Sequence, residues 1–586
     1  MRRPTVTLFV ALALAGGLPG VARAEDPPPR PPVVQKTEAE AGCIYGTQPT
    51  SSFVPKTYDR SYTAAFEWNQ VHNPQTDCNV TLGWFSFTRS PVSLNFTMVM
   101  EKENNDASSN NAVCAAGAAD PACTPDTWAQ MLSTAVTYRC SAQNDLNCIS
   151  SIQAVDESGT VTEGVFVRNF PEVPRVAGSA SNGAWVAEGG GTPMWEFALP
   201  SGKLTLLSNG LIETNFSARN GKWEVREDPG FRLTLFGVSV TPDATARKPT
   251  VETNDISFNG RTIRKVGVGG GIPPGCIASD TGECAREVPL PAGYRFRVTL
   301  QLPESALLFL NARLREPTAY TEPLPNGYRF VIEAAPADVL SVAQVFPKAV
   351  LQRSAVENIL TKTRGDRWVF DRANVDNFSE GAGSEALLWL NEVIPIIGDR
   401  TSWVSAVWNV STARNSRAFG SKCQARVKNS FLGVVSTNAT AYSEGPPRYN
   451  ESTATLEYEV AAPHFLPDGK TEAIGRYALN LNADFMTCLL GVSKVPDQAK
   501  IELTYGTGEV NAATINVKQT KNWLTLIAEN FTYSSPRIKV SFPQAATATT
   551  KTVAKSKAPA KTVTCVKGKT AKKFLGTKCP RGWKKK

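Results

Sequence analysis

The chain has 586 residues, with 42% hydrophobic and 20% charged positions, 62 Lys+Arg against 53 Asp+Glu, a formal charge of +9 and only 2 His. That balance reads as globular rather than disordered, collagenous or membrane-spanning. Two histidines exclude a three-histidine metal site and leave little room for histidine-based catalysis. At roughly 150 residues per domain the length predicts about three or four domains.

Taken in order, residues 1–24 read as a secretory signal. Arg2 and Arg3 precede a short apolar run from Val6 to Ala15, and Ala22-Arg23-Ala24 fits a cleavage site after Ala24. The apolar run is too short to span a bilayer, so the expectation is general export without a membrane anchor. Residues 25–42 form a Pro-rich leader. A β-rich domain with a short helix is expected over 43–250. Its strands are Val92 to Met100, Gly164 to Asn169 and Lys203 to Leu207, and Thr124-Pro125-Asp126 signals a helix running to Thr137. Glycine turns are expected at 189–191 and 269–271.

A second β-rich domain is expected over 251–345. Its clearest strand places Tyr294, Phe296, Val298, Leu300 and Leu302 on one face and Arg295, Arg297, Thr299 and Gln301 on the other. Arg329 to Glu333 is expected to pair nearby. Residues 346–400 read as mixed α/β, with Ser384 capping a helix from Glu385 to Val393. Repeated short strands over 401–543 predict a β-sandwich-like domain: Leu456 to Val460, Tyr477 to Leu481, Ile501 to Tyr505, Ile515 to Val517 and Ile538 to Phe542. A disordered Ala/Thr/Lys/Pro linker over 544–561 leads to a small basic module, 562–586. The fold class expected is therefore mostly β: several β-sandwich-like domains with a few short helices, stapled by disulfides.

The 12 cysteines are even in number, as a disulfide framework in an exported chain requires. Proximity in sequence proposes Cys114 with Cys123, Cys140 with Cys148, Cys276 with Cys284 and Cys565 with Cys579. The simplest pairs for the rest are Cys43 with Cys78 and Cys423 with Cys488, the latter stapling two sheets. No C-x-x-C occurs and no histidine is near a pair, so no structural zinc is expected.

Charge is unevenly placed. Residues 551–586 hold 12 Lys and Arg581 with no acid, which is +13, and Arg2, Arg3 and Arg23 add +3. Removing both from +9 leaves residues 25–550 at −7. The expected polyanion-binding side chains are Lys567, Lys569, Lys572, Lys573, Lys578, Arg581, Lys584, Lys585 and Lys586. Cys565-Val566-Lys567-Gly568-Lys569 followed by Lys578-Cys579-Pro580-Arg581-Gly582-Trp583-Lys584-Lys585-Lys586 resembles the C-terminal module of uncharacterised exported actinobacterial proteins. Segments around Cys148-Ile149-Ser150, Gly398-Asp399-Arg400 and Ala462-Pro463-His464-Phe465 are similar to the same group. The resemblance implies export and source, and no activity.

Catalytic patterns are weak. A Ser-His-Asp triad would need His72 or His464, and no G-x-S-x-G is present. Gly267-Val268-Gly269-Gly270-Gly271 lacks the helix and Lys-Ser/Thr of a phosphate cradle and reads as a turn. Asp366, Asp371, Asp376, Glu380 and Glu385 lie near Trp368, Trp389, Trp403 and Trp408, the residue types a glycosidase uses. Arg364-Gly365-Asp366 is given no weight. N-x-S/T sequons stand at Asn79, Asn95, Asn215, Asn377, Asn409, Asn438, Asn450 and Asn530. The leading expectation is an extracellular or envelope-associated binding or structural protein. Its tail meets anionic envelope polymers, teichoic-acid-like or lipid headgroups, and its body has a glycan or surface protein as ligand. No cofactor, metal or nucleic acid is expected. The alternative is a secreted carbohydrate-active hydrolase with paired carboxylates.

Overall fold

Period-two alternation of apolar residues makes most of this chain strand. The structure, a computed structural model, describes residues 79–84, most of 94–347, isolated positions between 387 and 394, most of 398–542, and 562–567, 570–575 and 584–585. The protein is all-β, multi-domain and disulfide-bonded. Among the described residues, twenty-two strands join through ladders into one branched sheet network, alongside smaller sheets. Among the described residues the helices are Ser421–Gln424, Ala483–Leu490 and a 3₁₀ turn at Gly117–Ala119.

The first core is a sandwich. One sheet centres on Tyr294–Pro303, held between Cys148–Asp156 and Gly327–Pro347. The other centres on Gly202–Arg219, which pairs with Pro193–Leu199, Gly230–Pro242 and Gln130–Val136. Their inner faces meet at contacts such as Phe197 against Phe296, edge to face at 6.3 Å. Phe296, Val298, Leu300 and Leu302 are all fully buried. At roughly 1.5–3 kcal/mol per buried side chain, this one strand face contributes on the order of 10 kcal/mol before entropy is counted. The arginines of the opposite face, Arg295 and Arg297, converge on Glu333 at 3.0 and 2.7 Å.

A second core lies between Ile474–Asn482 with Trp523–Thr532 and the small sheet of Thr455–Ala461, Arg537–Ser541 and Lys500–Thr504. Helix Ala483–Leu490 closes one end. Asn482 caps it by accepting from the Phe485 amide, and Gly491 ends it at a φ of 65°. The two cores share strand Phe309–Leu324, which pairs in parallel with Gly433–Thr437. Leu310, Ala312 and Leu314 face the first core and Phe309 the second.

Strands Phe96–Met100, Val165–Asn169, Tyr294–Pro303, Thr455–Ala461, Ile474–Asn482, Lys500–Thr504, Thr514–Thr520 and Arg537–Ser541 lie where alternation places them. Lys203 to Leu207 lies within the longer strand Gly202–Arg219. The expected pairing of Arg329 to Glu333 is present, with Thr299 opposite Val331. The ladders cross the expected division at 250/251: strand Thr250–Phe258 straddles it. They also cross 400/401, because Gly230–Pro242 pairs with Trp403–Thr412.

Four readings are corrected. The helix expected from Thr124 to Thr137 is a turn at Thr124–Trp128 and then strand Gln130–Val136. Ser133 sits between Thr97 on one side and Thr214 on the other, and two ladders outweigh a local capping signal. Gly267 and Gly269 are not in a turn but in strand Arg261–Gly269, paired with Thr250–Phe258. Gly189 makes an antiparallel bridge with Val176, and Gly189, Gly190 and Gly191 are buried where backbone and side chains crowd. A Cβ there would stand 1.9 Å from Asn95 Oδ1, 2.6 Å from Tyr138 Cβ and 2.7 Å from Asn169 Cβ respectively. Finally, Cys423–Cys488 staples helix Ser421–Gln424 to helix Ala483–Leu490, rather than two sheets.

Candidate functional site

The basic C-terminal module is a three-stranded antiparallel sheet of Thr562–Lys567, Thr570–Leu575 and Lys584–Lys585. Thr562, Val563 and Thr564 supply β-favouring residues to the first strand. Register sets Lys572 opposite Cys565 on one side and Lys585 opposite it on the other. Lys573 pairs with Thr564, Lys567 with Thr570 and Lys584 with Val566. Lys567, Lys572, Lys573, Lys584 and Lys585 are therefore on one small sheet, where Lys584 and Lys585 are exposed. Lys569, Lys578, Arg581 and Lys586 lie outside the described residues, as does Cys579.

Disulfides join Cys114–Cys123, Cys140–Cys148, Cys276–Cys284 and Cys423–Cys488, as proximity proposes. Cys43 and Cys78 lie outside the described residues, with the signal, the leader and His72. So do the linker 544–561, Asp366, Asp371, Asp376, Glu380, Glu385, Trp368 and Trp389, and all but two positions of the helix expected over 385–393. Asp243 stands beside Cys276 and Cys284, with candidate ligand atoms within 4.8 Å of one another. The two sulfurs are bonded to each other, so they offer no thiolate to a metal.

His464 is built into a clamp. Its amide donates to Asp399 Oδ1 at 2.7 Å, and Nδ1 donates to the Tyr533 carbonyl at 2.8 Å, since a carbonyl only accepts. Its Nε2 lies 3.7 Å from Glu472. Burial holds the Asp399 carboxyl above the usual carboxylate range, opposed by the His464 amide. These contacts tie three distant segments together. Trp408 is fully buried and donates to the Ala334 carbonyl at 3.0 Å, which makes it a core residue rather than a sugar platform. The Nδ2 atoms of sequon residues Asn409 and Asn438 are buried and donate to carbonyls of Leu233 and Ile474, so folded protein presents neither to a glycosylating enzyme.

A dense polar constellation among the described residues involves side chains that no motif marked. Arg175 lies over the Tyr138 ring at 4.2 Å, and its Nη2 donates to the Tyr138 hydroxyl at 2.7 Å. That hydroxyl donates to Glu188 Oε2 at 3.0 Å. Arg175 also pairs with Glu188, and with Asp145 at 3.3 Å, and donates to Ser141 Oγ at 2.9 Å. Burial, then Glu188, push the Tyr138 hydroxyl well above its ordinary value. Burial raises Asp145, but hydrogen bonds from Ser141 and Ala142 with the Arg175 charge outweigh it and leave the carboxyl below the usual range. Both acids are thereby oriented acceptors. The only sequence signal nearby is Asn182-Gly183 between short β-prone runs.

No family model matches this chain, and no curated protein matches it. Among the described residues, no helix is long and apolar enough to cross a membrane.

Proposed function

We propose that this chain is an exported protein, held at the cell envelope by its cationic C-terminal module, whose β body serves as a binding or structural module. The observation that carries this reading is the concentration of charge: five lysines on one small sheet at the end of a chain whose 25–550 region is acidic. Near an anionic surface each such side chain contributes roughly 1 kcal/mol, so five together favour attachment by on the order of 10³-fold. The partner is an anionic envelope polymer, teichoic-acid-like or made of lipid headgroups. The four disulfides among the described residues support the export half, because such bonds persist in oxidising compartments.

The test is fractionation of the native host expressing either the full chain or one ending at Thr550. Retention of the full chain, release by a 1 M salt wash where the screening length falls to about 3 Å, and loss of the truncated form to the medium are expected. Equal retention of both forms refutes the attachment.

A further inference from the structure

A surface groove of about 350 Å³ opens beside the Tyr138–Arg175–Glu188 constellation. That volume is at the lower end of ligand-site sizes, roughly 300–1,000 Å³. One wall is the hairpin Ser179–Ser181 and Ala184–Val186, turned by Asn182 and Gly183 at φ of 51° and 90°. Alternation buries Ala184 and Val186 and leaves the Trp185 side chain on the other face, 38% exposed, opposite the small Ala180. The facing wall is Asp145–Asn147, at the base of the loop closed by Cys140–Cys148. Glu188 completes the lining.

Asn147 braces this wall. It is 1% exposed, and its Nδ2 donates to the Glu188 carbonyl at 2.7 Å. Its Oδ1 is buried without a hydrogen-bond partner. The groove thus presents two carboxylates and one exposed indole, and its lining contains no Lys or Arg. A matching ligand brings hydroxyl donors and a flat apolar face. A sugar ring has both: hydroxyls for the acceptors and a C–H face for the indole. A cationic ligand fits less well, because Arg175 already pairs with both acids.

We infer that this groove is a binding site for a short neutral saccharide, recognised by Trp185, Asp145 and Glu188. The inference deepens the binding-module reading of the body and rests on it, but it is independent of the tail.

The test is isothermal titration calorimetry of the full chain in 0.5 M NaCl, which screens the tail. The probes are cellotetraose, chitotetraose, mannotetraose and maltotetraose, with fully deacetylated chitotetraose as the cationic probe. Binding of at least one neutral tetrasaccharide is expected. Trp185→Ala, a change at an exposed position, weakens it at least tenfold while leaving the melting temperature close to that of the parent, and Glu188→Gln weakens it as well. The inference is overturned if no neutral probe binds, if Trp185→Ala binds as tightly as the parent, or if the cationic probe alone binds. Envelope retention of Trp185→Ala remains salt-sensitive in either case, so failure of the groove and failure of the tail are read separately.

Discussion

Arg313 is a fully buried charged group on the strand the two cores share, and replacing it by methionine tests what holds them together. It lies on the shared strand Phe309–Leu324 and is 1% exposed. Its Nη1 donates to the Thr437 carbonyl at 3.1 Å and to the Ala439 carbonyl, and Nη2 donates to the Thr440 carbonyl at 3.3 Å. The guanidinium sits 4.3 Å from the centre of the Tyr442 ring. Burial holds its pKa below the usual arginine range. Two effects oppose each other in Arg313→Met. Orphaning three buried carbonyls costs about 1–3 kcal/mol each, and the lost cation–π contact costs about 2 kcal/mol. Against this, the charge no longer has to be desolvated, which returns several kcal/mol. With three acceptors and an aromatic face lost together, the losses win by about 3 kcal/mol. At roughly 2–4 °C per kcal/mol for a domain of this size, the transition of the 401–543 region falls by about 6–12 °C. Arg313→Lys keeps the charge but loses the fork that reaches two nitrogens' worth of acceptors, so it falls too. Differential scanning calorimetry with limited proteolysis reads both. If Arg313→Met melts at or above the parent temperature, carbonyl satisfaction is not what Arg313 provides.

Two further outcomes follow from crosslinks and charge. Cys423–Cys488 closes a separation of 65 residues and Cys276–Cys284 one of 8. On the chain-entropy relation these are worth about 4 and about 2.5 kcal/mol. Paired Cys→Ser variants should therefore lower the melting temperature more at 423/488, and equal losses contradict the entropic account. In acid, Asp468 titrates at about 2, held down by the Thr471 hydroxyl and the amides of Lys470 and Thr471. Burial pulls Glu333 up, but Arg295 and Arg297 outweigh it and hold it low. Folded values below the unfolded ones mean the unfolded chain binds more protons, so this stability is present above about pH 4 and lost as pH falls toward 2. Melting curves across that window should show the loss, and Asp468→Asn with Glu333→Gln should flatten it; an unchanged slope contradicts the assignment.

Much of the architecture was legible in short stretches of chain. Tyr294 to Leu302 declares its buried face because side chains alternate at period two and only one face is apolar. The pairs Cys114–Cys123, Cys140–Cys148 and Cys276–Cys284 are legible because their separations of 8 or 9 residues favour local closure. Gln130–Val136 was not legible: Thr124-Pro125-Asp126 is a sound local helix signal, and its defeat comes from ladder partners at 96–100 and 202–219. Nor did Gly189 to Gly191 show whether glycine serves a turn or close packing, since both ask for a missing Cβ.

The groove was least legible of all. Asn182-Gly183 marks its hairpin, and the run Ala184, Trp185, Val186 hints at an outward indole. Nothing local places Asp145, Asn147 and Arg175 beside Glu188. Dihedral preference, alternation and loop closure act over a few residues, so the sequence alone determined the strand-rich class, the short crosslinks and the basic tail. Strand partners, doubly buried faces and the convergence of polar groups depend on segments tens to hundreds of residues apart. Those were decided only by the tertiary structure, where the competition among long-range ladders is resolved.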